Sequence, residues 1–295
     1  MAHESSADGT AHNPRFPPLR MIIHPYGQFD NAAKAYQHIQ ALPLSAAMGA
    51  EIKSVKLDRI SIPAFNEIKH ALFHHKMIYF RDQPISHADQ EEFAHRFGPF
   101  AEDAYTHGVD GHVHVQPVIK EADKRVAMIF GSGWHTDSPF LEKPPAISML
   151  RGVDLPPYGG DTLWANTALA YDMLSDGMKA LLAPLNIHMS MRNVLTQAQQ
   201  VDIDDSPLGR LAATRDLTRL PDDLQKKLDG AVHPLVRTHP VTQQKSLYCD
   251  QTYSVGIDQM HEFEASPILN YLVNHITQPA FTCRLRWAPG TFAVW

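Results

Sequence analysis

The chain has 295 residues, of which 44% are apolar and 20% charged, the proportions of a globular domain that can bury a sizeable core. With 26 basic and 32 acidic residues its net charge is −6, and without a dense Lys/Arg run this argues against a nucleic-acid partner. Two cysteines, Cys249 and Cys283, form no CxxC and are too few for a disulfide framework or an all-cysteine metal site, so free thiols in a reducing cytoplasm are expected.

From the N-terminus, residues 1–19 are polar and proline-punctuated and are expected to be a disordered tail. They carry no basic start followed by an apolar core, and no apolar run of about 18 residues occurs anywhere, so neither a signal peptide nor a membrane span is read. Residues 20–295 read as one domain. Residues 51–57 alternate and predict a strand. Residues 63–74 place Phe65, Ile68, Ala71 and Leu72 at helical spacing. A short apolar run at 77–80 predicts a buried strand. Ser86 with Asp89 resembles a capping box opening a helix that Gly98 stops. Residues 112–119 and 127–130 predict strands, as do 146–151 and 161–164 on either side of the turn Pro156-Pro157-Tyr158-Gly159-Gly160. Helices are expected from Thr167 and over 177–182. Residues of about 195–228 are polar and acidic and predict a surface insertion that could act as a lid. Strands resume over 233–238 and 246–248, a helix spans 266–276, and strands at 281–287 and 291–295 flank Pro289-Gly290. This order predicts an α+β domain around a β-sandwich or barrel.

GxGxxG, P-loop, HExxH and GxSxG motifs are all absent. One short pattern carries chemistry: His135-Thr136-Asp137 within GSGWHTDSPF. On an extended strand residues i and i+2 share a face, so an imidazole and a carboxylate can hold one ion from adjacent corners. That is two-thirds of the 2-His-1-carboxylate arrangement, whose open positions admit a chelating cosubstrate and O₂. Alone, a His-x-Asp is a weak signal among 18 histidines. A second copy, His87-Ala88-Asp89, falls in the first turn of a predicted helix, where i and i+2 diverge; it reads as an ordinary polar helix start.

The segment from Trp134 to Trp164, WHTDSPFLEKPPAISMLRGVDLPPYGGDTLW, resembles the core of the TauD/TfdA family of Fe(II)- and 2-oxoglutarate-dependent dioxygenases, in which a WHTD precedes a GGDT. Supporting pieces include Ile78-Tyr79-Phe80-Arg81, Arg96-Phe97-Gly98, residues 233–240 (HPLVRTHP) and Arg284-Leu285-Arg286-Trp287, so the resemblance runs from about Leu44 to Trp295. It implies a double-stranded β-helix (jelly roll) with flanking helices. His135 and Asp137 match the family's metal ligands and catalytic pair, and Thr162 matches the threonine that contacts a carboxylate of 2-oxoglutarate. Iron(II), 2-oxoglutarate and O₂ are the implied cofactor and cosubstrates. The implied reaction hydroxylates a small organic acid of the sulfonate, sulfate ester or phenoxyalkanoate class, releasing succinate and CO₂. A small-molecule acid is the expected partner, with no membrane and with homo-oligomerisation as a family habit.

The family pattern continues past a tryptophan like Trp295 to a distal histidine ligand and a 2-oxoglutarate-binding arginine. The expectation is therefore a C-terminally truncated chain whose third ligand lies beyond Trp295 and whose last core strands are missing. His188, His233 and His239 are weak substitutes. The segment after Phe97-Gly98 should line the substrate pocket, offering Asp103, Tyr105 and Thr106, with Tyr253 an aromatic wall or a core residue; Asp103 facing a sulfonate would repel it, which counts against taurine. Two other readings stay open: a catalytically inactive relative that keeps the fold, and a zinc hydrolase built on His135 and Asp137, the latter disfavoured by the lack of HExxH.

Overall fold

A computed structural model describes residues 29–101, 108–119, 131–198 and 222–295. The first helix, α1 (Ile62–His75), starts where the Ser61 hydroxyl accepts the Ala64 N–H and Pro63 occupies the first turn. Ile68 and Leu72 on its buried stripe are almost fully shielded, and Lys76 in a left-handed conformation ends it (φ 69°). The second helix, α2 (His87–His95), opens with a reciprocal capping box: Asp89 N–H donates to Ser86 Oγ and Ser86 N–H to Asp89 Oδ2.

These helices cover a five-stranded sheet made of β1 (Gln40–Pro43), β2 (Ala50–Lys53), β3 (Ile78–Phe80), β4 (Met149–Arg151) and the last strand, β12 (Phe292–Val294), in the order β1-β2-β3-β12-β4. Only β2 and β3 run parallel; every other pair is antiparallel. Strand periodicity divides β12 between two cores. Phe292 and Val294 join Ile68, Leu72, Ile78, Phe80 and Phe93 beneath the helices. Ala293 joins Met77, Tyr79, Trp164 and Leu285 on the other face, where Trp295 also packs. The alternation of β12 thus delivers the Trp295 indole to the face that carries the site.

The next strand, β5 (Thr162–Ala165), pairs antiparallel with β11 (Thr282–Leu285), placing Thr162 opposite Leu285 and Trp164 opposite Cys283. Helices α3 (Thr167–Asp172), α4 (Asp176–Leu182) and α5 (Arg192–Ala198) follow, with β6 (Asn186–Met189) between the last two. Helix α6 (Asp222–Asp229) leads into β7 (Ala231–Pro234), β8 (Val236–Thr238), β9 (Lys245–Leu247) and β10 (Ser254–Ile257), and α7 (Glu262–Ile276) precedes β11. Strands β10-β6-β7 form a three-stranded antiparallel sheet, and β8 and β9 pair alone. Leu169, Leu182, Ile187, Met189, Leu272 and Phe281 fill the core beneath it.

The structure corrects several sequence expectations. Residues 112–119 form no strand: Gly111 takes a positive φ (77°), and the chain hooks back through one bridge between Val109 and His112. The strand expected over 51–57 stops at Lys53, because Ser54 adopts φ 70°, and a 3₁₀ turn follows at Leu57–Arg59. The strand expected over 233–238 breaks at Leu235, whose N–H turns to Leu185. The tail at 1–19, the strand expected at 127–130 and the middle of the 195–228 insertion lie outside the described residues; the flanks of that insertion are helices α5 and α6. Cys249 and Cys283 are buried and unpaired, and burial pushes both thiols up to about 12. Among the described residues no helix is long and apolar enough to cross a membrane.

Candidate active site

His135 and Asp137 do not sit on a strand. Residues 131–141 follow an irregular path, with Ser138 in a left-handed conformation (φ 44°) closing a turn to Leu141. What replaces a ladder is the turn at residues 250–253. Trp134 O accepts from Gln251 N–H at 3.2 Å and from the Thr252 hydroxyl at 2.9 Å, and Thr136 N–H donates to Asp250 Oδ2 at 3.1 Å. The backbone groups flanking His135 are therefore held as a partner strand would hold them. A Cβ at Gly133 would lie 3.0 Å from Thr252 Oγ1, a tight contact that the hydroxyl would have to relieve.

The two side chains converge as the spacing predicts. His135 Nε2 lies 3.4 Å from Asp137 Oδ1. His135 Nδ1 is 2.8 Å from Gly133 O, and a carbonyl only accepts, so Nδ1 carries a proton. The remaining Nε2 lone pair and a carboxylate oxygen face each other, an arrangement that needs a proton or a cation between them. Two donors at this separation can share one metal ion with bonds of about 2.1 Å. The neighbouring Asp137 carboxylate holds the imidazole above its ordinary pKa, against the pull of burial. Burial pushes the Asp137 carboxyl up, but hydrogen bonds from His135, Ser148 and Trp295 outweigh it and hold the group below its ordinary value. The Trp295 indole N–H donates to Asp137 Oδ2 at 3.0 Å, and Oδ1 is the oxygen that faces His135.

A second indole makes the same kind of bond at β5. Trp287 Nε1–H donates to Thr162 Oγ1 at 2.9 Å. Indole only donates, so the Thr162 hydroxyl must accept, and its own proton stays available for a ligand. Thr162 and Trp164 share a face of β5, and Trp164 packs edge-on against Trp295 at 5.4 Å. Tyr253 is buried, edge-on to His135 at 6.5 Å and 5.3 Å from Phe140.

The remaining candidates sort cleanly. Asp103, Tyr105 and Thr106 lie outside the described residues. His188 and His233 each spend a ring nitrogen on a backbone carbonyl, those of Asp229 and Pro139, while His239 Nδ1 accepts two backbone N–H groups. Among the described residues no group of three His, Cys, Asp or Glu could hold a metal. His87 contacts Arg151 and Asp89 caps its helix, as an ordinary helix start. Sequence reasoning missed the roles of Trp295, Trp287 and Asp250, for which no local pattern exists.

The His-x-Asp pair, its carboxylate bonded by one indole, thus precedes a GGDT strand whose threonine is bonded by another. The model for the taurine catabolism dioxygenase TauD, TfdA family matches residues 40–295, and the chain belongs to that family. It is 30% identical over 264 residues to an alkylsulfatase of Acinetobacter baylyi, covering 88% of this chain and 77% of the relative. It is 31% identical over 262 residues to an alpha-ketoglutarate-dependent sulfate ester dioxygenase of Pseudomonas putida, covering 86% and 79%. The crystal structure of a taurine dioxygenase from Burkholderia xenovorans is 33% identical and superposes with a TM-score of 0.66 over 88% of this chain and 80% of that one.

Proposed function

We propose that the chain is an Fe(II)- and 2-oxoglutarate-dependent dioxygenase that hydroxylates a small organic acid of the sulfonate, sulfate ester or phenoxyalkanoate class. Succinate and CO₂ leave as coproducts. The observation that carries this reading is the opposed pair of donors, His135 Nε2 and Asp137 Oδ1, each fixed from behind by a hydrogen bond at its other polar atom. The donor set fits a hard or borderline divalent ion. Bound iron and the oxo-acid supply the oxidising power that activates O₂ against a C–H bond.

The protein's own part is placement and shielding. His135 and Asp137 hold the metal. Thr162 donates its hydroxyl proton to a carboxylate of 2-oxoglutarate. Tyr253 and Phe140 form an aromatic wall that keeps water from the reacting centre. Asp103, Tyr105 and Thr106 belong to the substrate pocket in this proposal. The antiparallel ladders are parts of a double-stranded β-helix, and the enzyme works in the cytoplasm on a diffusible acid.

A second reading, a non-catalytic relative that keeps the fold, rests on one fact: among the described residues no third donor joins the pair. Anaerobic titration with Fe(II) and 2-oxoglutarate separates the two. The proposal expects a weak visible charge-transfer band, lost in His135→Ala, and succinate formation on admitting O₂ with an acid substrate. A silent titration favours the second reading. A band that survives His135→Ala sinks the ligand assignment.

A further inference from the structure

We propose that Asp250 is the positioning residue of the metal pair, a single buried carboxylate that locks the backbone between His135 and Asp137 to the turn presenting Tyr253. The inference rests on the reading of His135 and Asp137 as ligands and goes beyond it.

An Asp or Asn at the first position of such a turn needs one side-chain oxygen to accept the N–H groups two and three residues on. Asp250 Oδ1 does this, accepting from Thr252 at 2.8 Å and from Tyr253 at 2.6 Å. A neutral amide on the surface would suffice for that task. Asp250 is instead 7% exposed, and a buried carboxylate is costly unless every lone pair is used. Among the described residues its second oxygen accepts from the Thr136 N–H at 3.1 Å, on the peptide between the two proposed metal donors. The Asp250 backbone N–H is itself tied to Ser254 Oγ at 2.9 Å, at the start of β10. The carboxylate therefore joins the donor segment to a strand of the three-stranded sheet. Gln251 and Thr252 fasten Trp134 O in the same register.

The consequence is coupling. Tyr253 leaves the turn through a peptide bonded to Asp250 Oδ1 and meets the edge of the His135 ring. Metal donors and aromatic wall are thus set by one group, and a ligand pressing on Tyr253 is felt at Thr136.

The test uses the full chain with Mn(II) as the probe, followed by electron paramagnetic resonance of free ion. Asp250→Asn keeps an oxygen for the turn but turns its amide group, donor against donor, toward the Thr136 N–H. The expected result is a Mn(II) Kd raised about tenfold, with a thermal midpoint less affected than in Asp250→Ala. An unchanged Kd in a folded Asp250→Asn overturns the proposal and leaves the ligand assignment standing. A His135→Ala chain that binds Mn(II) as the unaltered chain does overturns both. Should Asp250→Asn not fold, amide exchange of the unaltered chain decides: Mn(II) is expected to slow exchange at both Thr136 and Tyr253 by about tenfold, and slowing at Thr136 alone defeats the coupling.

Discussion

The molecule uses histidine and carboxylate in two places to opposite ends. On the strap at residues 29–39, which lies against α1, Glu67 accepts the N–H groups of Gln37, His38 and Ile39, and Tyr36 meets His70. Asn31 Oδ1 accepts from the buried His75 at 2.7 Å while its amide donates to Ser45 O and Gly49 O. His75 and His135 are each bonded at one nitrogen, but His75 Nε2 is buried without a partner, whereas His135 Nε2 points at a carboxylate. Burial drags His75 down to about 4, whereas Asp137 lifts His135 above its ordinary value. The strap and α1 together carry more histidines, yet those with side-chain partners there fasten chain to chain. The sign of the shift, and which atom is left facing a charge, distinguish His75 from His135, the ligand of the proposal.

Substitutions can break that contrast, and the largest effect is expected from His135→Ala. Metal binding should fall by at least about 100-fold, beyond the loss typical of a supporting residue, while the urea midpoint barely moves. Asn31→Ala should do the reverse. It strips three hydrogen bonds from a buried group and should cost about 2–3 kcal/mol in urea unfolding, with Mn(II) affinity unchanged. A metal-binding loss there would erase the distinction.

Acid sharpens the comparison further. Unfolded His75 takes a proton near 6.5, but the folded ring stays neutral until about 4. The unfolded state therefore binds protons first, and the contribution of His75 is complete above pH 6.5 and lost as pH falls toward 4. Urea midpoints across that window should decline, and His75→Gln should flatten the slope. The smallest effects are expected at the indoles. Trp295→Phe keeps the ring against Trp164 but removes the N–H on Asp137, and should weaken Mn(II) binding several-fold. Trp287→Phe should instead raise the KM for 2-oxoglutarate a few-fold with little change in metal affinity, because its N–H bonds Thr162 and neither His135 nor Asp137.

Local chemistry was legible where it is local. The apolar spacing over 63–74 and Ser86 announce their helices, Gly159-Gly160 announces the turn before Thr162, and the His-x-Asp spacing brings two side chains together. The strands β1, β6 and β10 were not foreseen, since each is four residues long and shows no alternation strong enough to stand without its partner. The turn that braces the donors is read from Asp250, 114 residues after Thr136, and Trp295 reaches Asp137 across 158. Such pairings are made by tertiary packing and leave no trace in sequence spacing. The extended conformation expected at 135–137 held only in its effect, because a turn supplied the hydrogen bonds that a strand would have given.

The position of β12 has a bearing on how the protein comes to be. It occupies the gap between β3 and β4, strands built from residues some 140 to 210 positions earlier in the chain. During synthesis that gap stays open, with an unsatisfied edge on each side, until residues 292–294 emerge and Phe292 closes the core beside Phe80 and Phe93. Closure of so long a loop is slow compared with local helix formation. Until β12 pairs, the facing edges of β3 and β4 are open to edge-to-edge association, and chaperone dependence should track the speed at which one three-residue strand arrives.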